Sequence, residues 1–589
     1  MPVNSWCTNP TMGVSTDKTW ADVLLAKYTE LKKIRESKTL KLNPSPLLKS
    51  EIVVDGETVP FNFRYYQSIG VYHMLVMDRM VLGDATGIGK TIEIIGTFAY
   101  LWLKEPDNKA IVVTPKSALW QWASEIERFM VGVRPIVASG SPENRKKAYE
   151  EFVNAPIGPG HPKVVLLLNY ALLIRDWDAG GFRPTNAKGK PDPYQPVQPG
   201  LLDSLTSKIP NLWVVFDEAA TFKNQRTKTW QICKFLSEKA IRVYGLTATP
   251  LKNDLIEGFA IFKVIQPKIF TTVSKFMDSY CKVHLQSVPG TRRKIPIIVG
   301  YKNLEDFRNR IDPFYLGRAK HEVSSELPQL ITKEVVCELT PAELSKYDEA
   351  LTGLLELGDG EIKDYQESKA MASLIYCQEI VNSLHLLKFE DIKSSAKESM
   401  LLDLLENELS QERVIIYTRF EKFVTRMTTL LTDAGIKSVR ITGKEDDKPR
   451  KHAQETFQNH QSDTKVIFIT DAGSEAINLQ AASAMIFMDA PWSWGNYVQL
   501  LGRPIRIGSK HQNVVVYHLV AVRPGKTDKQ RRTIDHHVLE MLRSKKDFVT
   551  SILGESAVGA LDFQKEKKSS RDLIDRMKND IVVKGKNVQ

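Results

Sequence analysis

Cysteine is scarce. The five residues Cys7, Cys233, Cys281, Cys337 and Cys377 are scattered over 589 positions without a Cys-x-x-Cys pair. This excludes a dense disulfide framework and a thiolate zinc site, and it fits reduced thiols. Long apolar runs are missing as well. The longest, such as Val164–Leu168 and Leu212–Phe216, are about five residues, against the roughly 20 that a bilayer-spanning helix needs. They read as buried strands. The stretch Met1–Met12 has no basic segment followed by an apolar one, so no secretory signal is visible. The expected location is the cytoplasm, or the host cytoplasm for a viral protein, with no membrane association.

What is present is size and positive charge. At 66.7 kDa the chain is too long for one core, so several domains are expected. The net charge of +11, with a pI near 9.1, favours polyanionic partners, because Lys and Arg that neutralise phosphates release counterions. Hydrophobic residues make up 42% and charged residues 26%, a globular balance.

Along the chain, an amphipathic helix is expected from about Trp20 to Lys38, with Leu24, Leu25, Tyr28 and Leu31 on one face. From Phe61 onward, the apolar runs at Ile111–Val113, Val164–Leu168, Trp213–Phe216 and Val243–Leu246 alternate with helical patterns, which predicts a parallel sheet covered on both faces. The pattern lapses between about Leu255 and Glu398, where the sequence reads as largely helical. Strand-like runs return at Val414–Tyr417, Val466–Thr470, Met485–Met488 and Val514–Val520. The fold class is therefore α/β, with two parallel-sheet lobes, helical insertions between them and a helical N-terminal accessory segment. The corresponding divisions are an accessory segment (1–60), a first, nucleotide-binding lobe (61–265), a helical linker or protrusion (266–395), a second lobe (396–550) and a basic tail (551–589). The stretch Ala179–Gly200, rich in Gly, Pro and Lys, is expected to be a surface loop.

The chemistry begins at Gly83-Asp84-Ala85-Thr86-Gly87-Ile88-Gly89-Lys90-Thr91, between a strand end and a helix start. Backbone N–H groups around Gly87 and Gly89 can cradle phosphates. Lys90 would reach the outer phosphates, and the Thr91 hydroxyl would ligate magnesium (Mg2+). The strict phosphate-loop pattern has glycine where this chain has Asp84. The run Trp213-Val214-Val215-Phe216-Asp217-Glu218 is an apolar strand ending in two carboxylates. Asp217 would hold magnesium through water, and Glu218 would orient and deprotonate the attacking water. A third strand, Arg242–Leu246, ends in Thr247-Ala248-Thr249-Pro250, whose hydroxyls can bond carboxylates or phosphates.

These elements, in this order, resemble helicase superfamily two and, in detail, its Swi/Snf-related branch of double-stranded DNA translocases, from about Phe63 to Asp535. The resemblance implies RecA-like lobes, ATP with Mg2+ as the cofactors, and double-stranded DNA, including forked or branched forms, as the partner. It makes Gln67, in Arg64-Tyr65-Tyr66-Gln67, the candidate adenine contact. Thr114-Pro115-Lys116-Ser117, followed by Trp120, Trp122 and Glu125, is similar to the first DNA-contacting motif, and Asn169-Tyr170 to the next. DNA contacts are thereby implied at Pro115, Lys116, Asn169, Tyr170, Thr247, Thr249, Thr470 and Trp492. The segment Pro313-Phe314-Tyr315-Leu316-Gly317-Arg318-Ala319-Lys320, then Leu327-Pro328, resembles one specific to this branch. In the second lobe, Gly443, Arg450 and Phe457, then Thr470, Gly473, Asn478 and Leu479, then Asp489 and Gln499–Gly508, match successive motifs.

Arg503 and Arg506 are the candidate arginine fingers, since a guanidinium can bind the charge that spreads over the transferring phosphoryl group. The chain departs from the family pattern at Ala220, Gly317, Pro504, Ser474 and Ala476. None of these removes Lys90, Thr91, Asp217, Glu218 or the arginine pair. The implied activity is that of a DNA-dependent ATPase moving along duplex DNA as a monomer, remodelling it or displacing bound proteins, with repair or recombination as its setting. A strand-separating or branch-migrating helicase and a weakly catalytic ATP-gated DNA-binding module are the alternatives. The lack of chromatin-reading modules points to a prokaryotic or viral source, and no protein partner is indicated.

Overall fold

The computed structural model describes residues 18–553, apart from 38–39, 55–56, 179–205, 249, 252–253, 288–293, 320–321, 323–327, 353, 358–359, 361, 365–369, 391–394, 472, 474–476 and 507–508, and beyond these only 573 and 576–577. The expected loop Ala179–Gly200, most of the basic tail, and Thr249, Asn253, Lys320, Leu327, Ser474, Ala476, Ile507 and Gly508 lie outside the described residues. The chain forms two compact units, Met1–Cys281 with Lys302–Val323, and Lys282–Tyr301 with Ser324–Gln589.

The first unit is built on a seven-stranded sheet. Its strands are β1 (Arg79–Leu82), β2 (Lys109–Thr114), β3 (Val133–Val137), β4 (Lys163–Asn169), β5 (Leu212–Phe216), β6 (Ala240–Leu246) and β7 (Tyr315–Leu316), in the spatial order β7-β1-β6-β5-β2-β4-β3. All neighbouring pairs are parallel. Every residue of β2, β4 and β5 is buried, as expected for a parallel sheet with helices on both faces, where continuous apolar runs replace alternation. Because the strands run in one direction, Leu82, Thr114, Asn169, Phe216 and Leu246 finish at one edge, with Leu82 beside Leu246 and Thr114 beside Asn169. In such sheets the carboxyl edge is where ligands bind.

Four helices concern that edge: α1 (Lys18–Ser37), α2 (Tyr65–Val76), α3 (Lys90–Lys104) and α4 (Leu119–Phe129). Trp213 of β5 stacks on Phe98 of α3 at 6.0 Å and meets Trp102 at 5.4 Å. These aromatic contacts seat the helix that follows the phosphate loop against the strand carrying Asp217 and Glu218. The N-terminal helix packs on α2: Lys27 Nζ donates to the Val76 carbonyl (3.0 Å), Tyr72 Oη donates to Glu30 (2.7 Å), and Arg35 donates to His73 (2.8 Å) and to Asp312 (3.1 Å).

The second unit holds a six-stranded, wholly parallel sheet of β8 (Gln329–Glu338), β9 (Val414–Tyr417), β10 (Ser438–Ile441), β11 (Val466–Ile469), β12 (Ala484–Phe487) and β13 (Asn513–Val522), ordered β8-β13-β12-β9-β11-β10. Both units are RecA-like α/β lobes. The stretch expected to be largely helical differs from that reading. It contains a two-stranded ribbon (Cys281–Ser287 with Lys294–Tyr301), β7, the short hairpin Leu354–Asp364, and β8, which pairs with β13 over ten residues. β8 was hidden because it is an edge strand. Its sequence, Gln-Leu-Ile-Thr-Lys-Glu-Val-Val-Cys-Glu, is mostly exposed and half polar, so its apolar residues fall in two short pieces, Leu330-Ile331 and Val335-Val336-Cys337, split by Thr-Lys-Glu, and its partner lies far along the chain.

Candidate functional site

The glycine-rich loop joins β1 to α3, and both of its glycines are conformationally required. Gly87 has φ 85° and Gly89 φ 104°, left-handed values that a side chain rarely adopts. Gly89 is also crowded, because a Cβ there would lie 2.5 Å from Gln67 Nε2. The turn delivers the start of a 15-residue helix, whose free N–H groups and dipole favour an anion. Lys90 and Thr91 are its first two residues. Lys90 Nζ donates to the carbonyls of Asp84 (2.7 Å) and Ala85 (3.2 Å). Desolvation lowers its pKa, opposed by the charges of Glu218, Asp84, Asp217 and Glu93. Thr86 Oγ1 is buried in the same loop without a protein partner, an orphaned donor where phosphate oxygens would lie. The loop fits a nucleoside triphosphate.

Gln67 is buried against this loop. Its Oε1 accepts from the Arg64 N–H (3.0 Å), and its Nε2 donates to the Ile88 carbonyl (3.2 Å), which also accepts from Tyr66 Oη (3.0 Å). The side chain expected to read adenine thus fastens α2 to the loop.

Asp217 and Glu218 follow β5. The Asp217 N–H donates to Val113 O at 2.8 Å, and Asp217 Oδ2 accepts from Thr114 Oγ1 (2.9 Å) and Trp122 Nε1 (2.8 Å). Its Oδ1 accepts from the Glu218 N–H (3.0 Å). Glu218 sits at φ 48°, ψ 54°, a left-handed conformation that costs a non-glycine residue about 1–3 kcal/mol and clusters at functional sites. Asn169 and Tyr170, expected at the DNA, point inward. Asn169 Oδ1 accepts from Leu172 N (3.0 Å) and starts the next helix, while Tyr170 Oη donates to the Asp217 carbonyl (2.7 Å). Both side chains are buried and brace the edge through these hydrogen bonds. Thr247 is also buried, its N–H donating to Leu82 O (3.1 Å). Pro115 is half-buried and Lys116 exposed.

Sequence reasoning missed an ionic cluster beneath the loop. Arg318 donates from Nε to Asp84 Oδ1 (2.9 Å), from its backbone N–H to the same oxygen (3.1 Å), and from Nη2 to Asp84 Oδ2 and both Glu93 oxygens (3.1 Å each). Its Nη1 donates to the Tyr66 carbonyl. Asp84 and Glu93 are fully buried. Burial pushes the Glu93 carboxyl well above its ordinary range, with Arg318 opposing. Asp84 stands where the usual loop has glycine because its carboxylate binds the branch-specific segment to the loop. Gly70 leaves room for Glu93, since a Cβ there would come within 1.9 Å of Glu93 Oε2. The signal available in the sequence was that Asp84 departs from the strict loop pattern and that Gly317, beside Arg318, departs from the family pattern.

In the second unit, Arg503 is buried, and its Nη1 donates to the Ile477 carbonyl (3.2 Å). Arg506 is half-buried, with Nε on Gly502 O (3.3 Å) and Nη1 on Asn478 Oδ1. The arginine pair is therefore tied to the segment carrying Asn478. Thr470 is buried, its carbonyl accepting from the Gly473 N–H (3.0 Å). Arg450 also donates to Gly473 O (3.1 Å). Gly473 must be glycine, because a Cβ would come within 1.9 Å of Ile441 O. Trp492 is half-buried and donates from Nε1 to Gln378 Oε1 (2.9 Å), an oxygen shared with Arg419 Nη1 (3.0 Å). Asp489 accepts from Thr418 Oγ1 (2.7 Å) and Asn382 Nδ2 (3.0 Å), and burial raises its carboxyl to about 6.

The SNF2-related domain matches residues 66–389, more than half of the chain, and the helicase conserved C-terminal domain matches 396–508. The chain belongs to the SNF2-related family. An uncharacterized ATP-dependent helicase of Mycoplasma pneumoniae is 25% identical over 502 residues, covering 84% of this SNF2-related chain and 42% of that protein. The transcription regulatory protein SNF2 of Saccharomyces cerevisiae is 26% identical over 460 residues, 73% of this chain and 24% of that one. This chain thus spans less than half the length of these curated relatives. Among solved structures, the Sulfolobus solfataricus SWI2/SNF2 ATPase core in complex with dsDNA is 21% identical, with a TM-score of 0.35, covering 88% of this chain and 96% of that one. Among the described residues, no helix is long and apolar enough to cross a membrane.

Proposed function

We propose that this chain is an ATP-dependent translocase on double-stranded DNA, remodelling it or displacing bound proteins. The observation that carries this reading is the pair of hydrogen bonds from Thr114 and Trp122 to Asp217. One carboxylate, suited to magnesium, is held by the two ends of the Thr114–Trp122 segment that resembles a DNA-contacting motif. A DNA-induced shift in that segment would reach the hydrolytic carboxylates directly.

In this reading the Gly87 and Gly89 backbone, Thr86, Lys90 and Thr91 hold the phosphates of ATP, and Thr91 with Asp217 holds Mg2+. The metal supplies charge neutralisation at the transferring phosphoryl group. Glu218 takes the proton of the attacking water. Lys116 and Pro115 face the DNA. Gln67, Asn169 and Tyr170 act by positioning the loop and the edge. Arg506, the more exposed of the pair, is the better candidate finger. Lys116 and the net charge of +11 support the polyanion partner.

Triplex displacement tests the reading. With ATP, the chain should strip a third strand from a duplex while leaving a forked duplex paired. Unwinding of the fork would favour the helicase reading, and no displacement of either substrate would contradict both. Trp122→Phe keeps most of the packing but removes one bond to Asp217. It is expected to raise the magnesium concentration for half-maximal ATPase by about tenfold, in line with the 10–100-fold cost of losing an outer-shell partner. A magnesium titration checks this.

A further inference from the structure

Arg35, in the last turn of α1, reaches the segment that frames the glycine-rich loop. Its Nε donates to His73 Nε2 on α2 (2.8 Å), its Nη1 to Asp312 Oδ1 (3.1 Å), and its Nη2 to the carbonyls of Asp312 (3.2 Å) and Tyr315 (3.1 Å). All of these residues belong to the first unit. The first bond fixes a tautomer. Because His73 Nε2 accepts, the ring proton sits on Nδ1, which donates to the Ile69 carbonyl (2.8 Å). Burial, and then the Arg35 charge, lowers the His73 pKa to about 3, so the ring stays neutral beside the guanidinium.

Asp312 and Tyr315 lead into β7, which is joined to the loop along its length. Tyr315 pairs with Val81 and Leu316 with Leu82 of β1. Past the strand, the Gly83 N–H donates to the Leu316 carbonyl (2.6 Å) and the Ala85 N–H to the Arg318 carbonyl (3.0 Å). The Tyr315 ring lies against two glycines. A Cβ at Gly83 would come within 2.2 Å of the ring, and one at Gly317 within 2.3 Å of its hydroxyl. Gly83 opens the loop, and Gly317, a departure from the family pattern, leaves room for the ring. The 312–318 segment is therefore a rim of the loop, gripped from outside by Arg35.

We propose that Arg35 is a positioning residue for ATP: through this guanidinium, α1 holds the 312–318 segment against the phosphate loop and keeps the loop in its nucleotide-binding form. The inference rests on ATP binding at the loop and goes beyond it, because it gives the N-terminal helix a part in nucleotide affinity. The planar fork matters, since its acceptors lie on two separate elements, whereas a lysine places one ammonium at one point. Without the fork the loop populates other forms, and apparent affinity falls with the fraction that remains competent. Bound ATP selects the competent form, so turnover at saturating ATP is retained.

The test uses the full chain at saturating magnesium and duplex DNA. KM and kcat for ATP, and equilibrium binding of a non-hydrolysable ATP analogue, are measured for wild type, Arg35→Met, Arg35→Lys, Asp312→Ala and Lys27→Met. Arg35→Met should raise KM and weaken analogue binding about tenfold, as for a loop that is competent about a tenth of the time, with kcat within about twofold of wild type. Arg35→Lys should recover little. Asp312→Ala removes the charged acceptor at a side chain 36% exposed, where the fold is spared, and should raise KM in the same direction. Lys27→Met removes the bond from α1 to the Val76 carbonyl without touching the 312–318 segment, and should leave KM at the wild-type value. Wild-type KM and analogue affinity in Arg35→Met or Asp312→Ala overturn the proposal. An equal rise of KM in Lys27→Met overturns it too, because docking of α1 alone would then account for the effect. So does a fall in kcat with KM unchanged. A wild-type chain that binds no analogue would instead bring down the ATP site itself, and this inference with it.

Discussion

Glu218→Gln is expected to keep ATP and DNA binding and to lose turnover by about 10²–10⁴-fold, the usual contribution of a positioned general base. The change preserves shape while replacing one accepting, basic carboxylate oxygen with a donating amide NH2. Geometry favours Glu218 over its neighbour for this task. Asp217 Oδ2 is occupied by Thr114 and Trp122, and its Oδ1 by the Glu218 N–H, so it is a fixed ligand. Glu218 is held in a left-handed conformation at the strand end. Its charge also opposes the desolvation that lowers the pKa of Lys90, more than that of any other carboxylate, so it lies within electrostatic reach of the phosphate-binding lysine. Single-turnover kinetics with bound nucleotide quantified separately checks the prediction, and wild-type turnover would remove Glu218 from the role.

Arg318→Met should have the largest effect on stability, a loss of about 3–5 kcal/mol, because it strands buried carboxylates without their cation. The Arg318 side chain is only 11% exposed and Asp84 and Glu93 are at 0%. ATP affinity should fall as well, since the Asp84 carbonyl also accepts from Lys90. The pH dependence has a definite sign. Burial raises Glu93 in the folded state, and removing the opposing arginine raises it further. Folding of the variant then takes up protons, and its stability falls as pH rises above the ordinary carboxylate range. The deficit against wild type should be larger at pH 8 than at pH 5, as read by urea unfolding. Adding Asp84→Asn and Glu93→Gln to Arg318→Met should restore part of the stability. A deficit independent of pH would show that packing of the 313–318 segment, rather than charge, is what Arg318 provides.

Much of this architecture was legible in the sequence because parallel strands buried on both faces leave continuous apolar runs. Val164–Leu168 and Val414–Tyr417 mark β4 and β9 almost to the residue. Strands without such runs escaped. β8 is at an edge and its apolar residues are split by Thr332-Lys333-Glu334, β7 is two residues long, and β10 alternates within Ser438–Ile441. The phosphate loop and acidic pair were legible because their chemistry demands particular residues at fixed spacing. What the sequence could not show was direction. Asn169 and Tyr170 fit a DNA-contacting motif, but only coordinates reveal that their side chains turn into the sheet edge. Nor could spacing reveal that Arg318 lies on Asp84, 234 positions away, though Asp84 itself and Gly317, beside Arg318, were conspicuous as departures.

The central claim is that hydrolysis at the loop and acidic pair answers to DNA at the Thr114–Trp122 segment. Steady-state ATPase of the full chain, with and without duplex DNA at saturating magnesium and ATP, tests it most directly. The account predicts a low rate without DNA that rises severalfold and saturates with added duplex. A rate unchanged by duplex at any concentration would contradict it.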